Sequence, residues 1–370
     1  MSTAVTATDP AHGSGGPPPA TMRVVELDGT GDPGVLVPGT RPTPRPGPGE
    51  LLVRVGACGV CGHDALARRG ALAACAGAVL GHEIAGRVVA LGTDVPGGWL
   101  GKRVALVQRI PCGRCDDCTD GATTHCRSGP GFYGEDLDGG YAEYVRASPL
   151  NAVELPDEID DATGAILSCA VGTGLRALRS AEVGPGQVVI VTGAGGGVGL
   201  HTVALARHLG ARVVGVVGSP AKADAVRAAG ADSVHPCADI TAGAAISAHD
   251  LRDAVRALGS RRGAHVVIET TGAPTFSTAL RALAPRGRLV LVGNTVPGPL
   301  PLDPGLTIVK ELRVSGSAHA DRDDLTEVVE LVADGAITPV PARRRPLSEV
   351  ADAHAELDAR TVIGRSVVIP

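Results

Sequence analysis

Two groups of residues in this chain have the types and spacing for metal chemistry. In "PCGRCDDCTDGATTHC", Cys112, Cys115, Cys118 and Cys126 follow one another at short intervals. Four thiolates in one loop suit a tetrahedral structural zinc with no open coordination position. The second group is scattered. His82 and Glu83 stand together in "GHEIAG", Cys61 lies upstream in "CGVCGHDAL", and Cys169 lies downstream in "AILSCAVGTGL". Two thiolates and one imidazole leave a fourth position on zinc for water or substrate, as a catalytic site requires. Asp64 is placed to orient His82 as a hydrogen-bond acceptor, and Glu83 to reach the metal transiently. Cys58 reads as a packed strand cysteine, and Cys75 and Cys237 lie outside both sets. Nine cysteines, an odd number with no secretion signal ahead of them, point to metal in a reducing, cytoplasmic compartment rather than to disulfides.

A third chemical feature is glycine-rich. "VVIVTGAGGGVGLHTVALARHLGARVVGVVGSPAK" has the strand–loop–helix–strand context of a dinucleotide site. Its register is Ala194-x-Gly196-x-x-Gly199, with Gly197 and Val198 inside it and Gly195 adding room. Small residues let the backbone approach a pyrophosphate at the helix N-terminus. An acid at the end of the next strand would bind a ribose 2′-hydroxyl. Val217 and Gly218 hold that place, and Ser219 and Lys222 follow. The expectation is a contact with a 2′-phosphate, hence NADP rather than NAD.

The elements that must position these groups fall into two textures. From about residue 22 to 150 the chain reads as short strands, among them "LLVRVGACG", "GRVVALG" and "GGYAEYVRAS", which predicts a compact barrel-like β domain. "DDATGAILSCAVGTGLRALRSA" has helical spacing, with Asp160 and Asp161 at its start. Beyond it, Val/Ile runs alternate with amphipathic helices, which predicts a parallel sheet covered on both faces. The boundaries expected are a disordered tail over 1–21, a catalytic domain over 22–168 and 316–370, and a cofactor domain over 169–315. No apolar run is long enough for a membrane span. The net charge of −5 opposes nucleic acid and anionic membranes as partners. Aromatics are only 2% of the residues, so a substrate pocket is expected to be lined by aliphatic and small side chains.

Taken in order, "GVCGHD", "GHE", the four-cysteine lobe, "SCAVGTG" and the glycine loop resemble the zinc-dependent medium-chain dehydrogenase/reductase family of alcohol dehydrogenase type, from about Met22 to the C-terminus. The resemblance implies an α/β chain, with a GroES-like β-rich catalytic domain and a doubly wound Rossmann domain. It implies two zinc ions, a nicotinamide cofactor, a small-molecule substrate and a homodimer or homotetramer. It places Thr173 against the nicotinamide, Val292 and Gly293 at its carboxamide, and Arg365 near the pyrophosphate. It sets "ELRVSGS" near a subunit interface. The chain departs from the family at the proton relay. The usual hydroxyl is replaced by His63 and the usual histidine by Leu66. Either His63 exchanges the proton itself or it shapes the pocket.

The activity implied is hydride transfer between NAD(P)H and an alcohol or carbonyl carbon, with zinc polarising the oxygen. A changed relay also fits reduction of an activated C=C bond of enone type. A non-catalytic cofactor-binding protein on the same fold is the remaining reading.

Overall fold

The strands anticipated before residue 150 pair with one another, and a second sheet forms separately from strands within 188–316. The computed structural model describes residues 17–72, 74–237, 246–295 and 298–370. The expected tail falls outside the described residues as far as residue 16, and Thr21 already opens a strand. That strand, β1 (Thr21–Leu27), pairs antiparallel with β2 (Leu36–Pro42). Next come β3 (Leu51–Gly59), α1 (Gly62–Arg68), β4 (Glu83–Leu91) and β5 (Arg103–Leu106). A small ribbon, β6 (Arg109–Ile110) with β7 (Gly131–Phe132), encloses α2 (Asp116–Thr119). It is followed by β8 (Tyr144–Ala147) and β9 (Ala152–Glu154). One side of β3 and β4 buries Leu51, Val53, Val55, Ile84 and Val88 in a core shared with β1 and β2.

The helical stretch after residue 160 is capped as its sequence suggests: the Asp160 carboxylate accepts the Thr163 N–H at 2.7 Å. It is not one regular helix. α3 (Asp161–Ile166) and α4 (Thr173–Ser180) are joined by a π-helical turn, Leu167–Gly172, all of it buried. Wide turns of this kind recur at functional sites, and this one carries Cys169. Its residues share a core with Ala57, Ala85 and Ala105 of the first sheet and with Val189 and Val191 of the second, so the segment is the packed joint between the two sheets.

The second sheet is wholly parallel. It contains β10 (Val188–Val191), β11 (Arg212–Val217), β12 (Ser233–Pro236), β13 (Ala264–Glu269), β14 (Leu283–Leu291) and β15 (Arg313–Gly316), in the order β12-β11-β10-β13-β14-β15. This is the doubly wound order, and its switch point lies beside β10. Helices α5 (Gly197–His208), α6 (Ala223–Ala228), α7 (Ala248–Ala257), α8 (Ala273–Ala282) and α9 (Pro304–Val309) accompany it. Covered on both faces, β10 is apolar at every position. After α10 (Arg322–Ala333) the chain returns to the first sheet. β16 (Pro341–Pro346) runs parallel to β17 (Arg365–Ile369), which pairs with β3, and α11 (Val350–Asp358) lies between them in sequence.

Candidate active site

Strand register brings the scattered metal set together. Gly59 at the end of β3 pairs with Glu83 at the start of β4. Cys61, just beyond one strand, therefore meets His82, just before the other, and the π turn delivers Cys169 from the joint. One ligand atom from each of Cys61, His82, Glu83 and Cys169 lies within 4.8 Å of all the others, and all four residues are buried. The Cys61 and Cys169 sulfurs are 3.9 Å apart. Two sulfurs bound tetrahedrally to one zinc at normal bond lengths would lie about 3.8 Å apart, so the donor set fits that ion.

The surrounding groups prepare these ligands. Asp64 accepts from His82 Nδ1 at 2.9 Å, from the Cys61 N–H at 3.0 Å and from the Gly81 N–H at 3.3 Å. A carboxylate only accepts, so Nδ1 carries the proton and Nε2 keeps its lone pair for a metal. Burial works against a charged His82, but the Asp64 charge and hydrogen bond outweigh it and raise its pKa well above the ordinary range. Cys61 is held well below its ordinary value, first by its hydrogen bond with Cys169 and then by Arg365 and His82; Cys169 moves the opposite way. Glu83 is fully buried and pushed up to about 8 by burial, which the Arg365 charge offsets only in part. Its Oε1 lies 3.1 Å from Arg365 Nε, and neither carboxylate oxygen has a hydrogen-bond partner among the described residues.

The four-cysteine lobe has the same character. Sulfur separations are 3.9 Å for Cys112–Cys118, 3.5 Å for Cys115–Cys118 and 3.8 Å for Cys115–Cys126. Cys112 accepts the Arg114 and Cys115 N–H groups, which bring its thiol down to about 6. Those contacts favour the thiolate that a metal needs.

At the switch point, the glycine loop opens α5 after β10. A Cβ on Gly199 would lie 2.2 Å from the Gly193 carbonyl, and one on Gly197 would lie 2.6 Å from the Arg365 guanidinium carbon. Only glycine permits that close packing. Arg365 thus touches both the metal set and the loop, and it donates from Nη1 to the Val60 carbonyl at 3.2 Å. Thr173, at the start of α4 and one turn beyond Cys169, is buried with its hydroxyl unpartnered among the described residues.

Comparison with known proteins agrees with this architecture. Residues 47–157 match the alcohol dehydrogenase GroES-like domain, and residues 197–334 match the zinc-binding dehydrogenase domain. The chain is 34% identical over 324 residues to an acryloyl-coenzyme A reductase of Metallosphaera sedula, covering 87% of this chain and 92% of that protein. It is 33% identical over 335 residues to an NAD-dependent alcohol dehydrogenase of Sulfolobus acidocaldarius, covering 88% and 93%. Among solved structures, AibC superimposes with a TM-score of 0.85 at 40% identity, covering 95% of this chain and 96% of that one. The chain belongs to the zinc-dependent medium-chain dehydrogenase/reductase family. It is an oxidoreductase.

One expectation needs correction. The surroundings of the metal set are not aliphatic. Phe132, one of the two phenylalanines in the chain, stands 5.0 Å from the His63 ring, 5.5 Å from His82 and 5.4 Å from His319. Arg109 lies over the same ring at 5.8 Å. Lys222 lies against the glycine loop: Nζ donates one hydrogen to the Val362 carbonyl at 2.7 Å, and the stem covers Gly195. Ser219 uses its hydroxyl to accept the Ala221 N–H. Val292 closes β14 onto the Glu269 carbonyl through its N–H.

Sequence reasoning also missed a residue. His63 Nε2 donates to Glu135 Oε1 at 2.5 Å, and that bond holds the Glu135 carboxyl below its usual range against the effect of burial. Seventy-two positions separate the pair, and no local pattern marks it.

Proposed function

We propose that the chain transfers a hydride between a nicotinamide nucleotide and an alcohol or carbonyl substrate at the Cys61–His82–Cys169 site. The observation that carries this reading is the buried donor set with 3.9 Å between its sulfurs, facing the joint between the two domains. Zinc held there would supply Lewis acidity toward a substrate oxygen, and a nicotinamide seated on the loop would supply or accept the hydride. The residues of the chain do the rest. Asp64 fixes the imidazole. Arg365 counters the charge of the thiolates and Glu83. Glu83 is the neighbouring carboxylate that can approach the metal. Ala194, Gly196, Gly197, Val198 and Gly199 admit the pyrophosphate beside Arg365, and the unpartnered Thr173 hydroxyl and Val292 flank the nicotinamide. His63, bonded to Glu135, is the group placed to hold a proton near the substrate. Cys112, Cys115, Cys118 and Cys126 hold a second, structural zinc.

NADP is the preferred nucleotide in this reading. No acid closes β11, and Lys222, its pKa lowered by burial and secondarily by the Arg360 charge, lies against the glycine loop. Ser219 stands next to them, so the 2′ position would meet cations rather than a carboxylate. The exposed Leu302, Ile308 and Val309 precede the edge strand β15 in sequence and support a homodimer or homotetramer. Among the described residues no helix is long and apolar enough to cross a membrane, and the thiolate-rich sites suit the cytoplasm.

One observation favours a second reading within the same site. The relative in Metallosphaera sedula is an acryloyl-coenzyme A reductase, and the usual hydroxyl relay is replaced by His63 and Leu66. Reduction of a C=C bond conjugated to a carbonyl needs the carbonyl held, and the proton then goes to carbon. Deuterium-labelled NADPH separates the two. Label on the carbinol carbon of the alcohol formed from a ketone or aldehyde supports the first reading; label on the β-carbon of a saturated carbonyl product supports the second. Cys169→Ala should abolish turnover and lower the zinc content from about two per chain to about one. Full activity in that variant would remove this site from the mechanism.

A further inference from the structure

We propose that Tyr141 and His354 are positioning residues for the metal ligand His82, acting through Asp64. The inference rests on the metal reading of the Cys61–His82–Cys169 site and extends it by two residues that lie behind it.

Tyr141 has no exposed surface, and its ring packs close to Gly81, the residue preceding His82. A Cβ on Gly81 would be 2.6 Å from the Tyr141 ring, and Gly81 has φ +95°. Only glycine meets both demands. The Tyr141 hydroxyl is 3.2 Å from Asp64 Oδ2 and 3.0 Å from His354 Nε2. Hydrogen counting sets the direction of this chain. Asp64 can only accept, so the single phenolic hydrogen goes to it. His354 must then donate its Nε2 hydrogen to the phenolic oxygen. That leaves His354 Nδ1 bare, in accord with its lack of a partner among the described residues.

The result is a one-way sequence of donors. His354 Nε2 gives to Tyr141, and Tyr141 gives to Asp64 Oδ2. Asp64 Oδ1 takes the His82 Nδ1 hydrogen and leaves His82 Nε2 free for the metal. Each oxygen of Asp64 has one backbone donor and one side-chain donor, so neither side of the carboxylate is free to swing. α11 brings His354 to the chain's earlier part and is bolted to α1, the helix of Asp64, through Arg68 and Asp358 at 2.5 Å.

A purely structural role does not explain the polar atoms. Tyr141 packs with Ala67, Val350 and Ala353 in an apolar core, and there phenylalanine and leucine would fill the same space without desolvating a hydroxyl and an imidazole. Their retention makes sense if the hydrogen bonds hold the metal ligand.

The test is metal release from the zinc-loaded full chain, followed with a chromogenic chelator. The four-cysteine zinc in the same molecule is the reference. Tyr141→Phe and His354→Leu should release the Cys61–His82–Cys169 zinc roughly 10-fold faster, in line with the loss of metal affinity when such outer contacts are cut. The lobe zinc should leave at the wild-type rate. His354→Gln, whose amide can donate in place of Nε2, should restore slow release. With cobalt in place of zinc, the visible absorption of the altered site should shift in the first two variants and return in the third. Wild-type release rates in both Tyr141→Phe and His354→Leu would overturn the inference, as would equal acceleration at both metal sites. If the wild-type chain holds metal only in the lobe, the metal reading and this inference fall together.

Discussion

At the scale of single residues, the site depends on places where a side chain is absent. Gly59 faces Glu83 across the β3–β4 pair, and a Cβ there would sit 2.1 Å from Glu83 Oε2. Glu83 cannot yield cheaply, because it is fully buried and tied to Arg365 at 3.1 Å. Gly59→Ala is therefore expected to cost about 1–3 kcal/mol by overpacking, seen as a lower midpoint in urea unfolding. Because the displaced carboxylate borders the metal set, turnover should fall with stability. A variant as stable and as active as the parent would mean that Glu83 has room to move. The same logic applies to the glycine that opens "GHE". A histidine is chemically versatile anywhere, whereas Gly81 at φ +95° against the Tyr141 ring fits one local geometry.

At the scale of elements, the two metal sites differ in what holds them. In the lobe from Cys112 to Cys126, only Thr124 and Cys126 are buried. Among the described residues no apolar core supports α2, so its shape depends on the thiolates and on the metal they would hold. Cys118→Ser should lower the zinc content by about one per chain and expose the lobe to trypsin at Arg114 or Arg127, with the sheets intact by circular dichroism. Resistance to trypsin after that loss would show that the lobe holds its shape unaided. The lobe was legible in sequence because one loop supplies every ligand. Cys61, His82 and Cys169 were legible because each borders a recognisable strand or helix in a familiar order. The π turn was not: its residues have ordinary helical spacing, and the wide turn arises from packing between two sheets. Nor were Glu135 and His354, whose partners lie 72 and 213 positions away. The bond from Lys222 to the Val362 carbonyl was hidden for the same reason, since Val362 lies in the returning C-terminal segment.

At the scale of the molecule, that returning segment ties the cofactor loop to the catalytic sheet. Gly364 donates its N–H to the Gly195 carbonyl at 3.2 Å. His201 on α5 donates from Nδ1 to Gly197 O at 2.6 Å and accepts the Val340 N–H at Nε2 at 2.9 Å. Its ring is thereby committed to the neutral form. Burial, and secondarily the nearby Arg365 charge, bring its pKa down to about 4. His354 is likewise held at about 4, chiefly by burial and also by Arg68, against the opposing pull of Asp64 and Asp358. In the unfolded chain both would take up a proton near the ordinary histidine value of about 6.5. At these two residues the unfolded state therefore binds more protons between these limits, and their contribution to stability falls as pH drops from about 6.5 to about 4. Each histidine contributes a slope of up to about 1.4 kcal/mol per pH unit. His201→Gln cannot be protonated, yet it keeps a side-chain donor and acceptor. Its unfolding free energy should depend less steeply on pH across that interval than that of the parent. The carboxylates are common to both proteins and cancel in the comparison. Equal slopes would mean that the Val340 N–H and Gly197 carbonyl give way to a charged ring, and that the tie between the domains loosens in acid without cost to the fold.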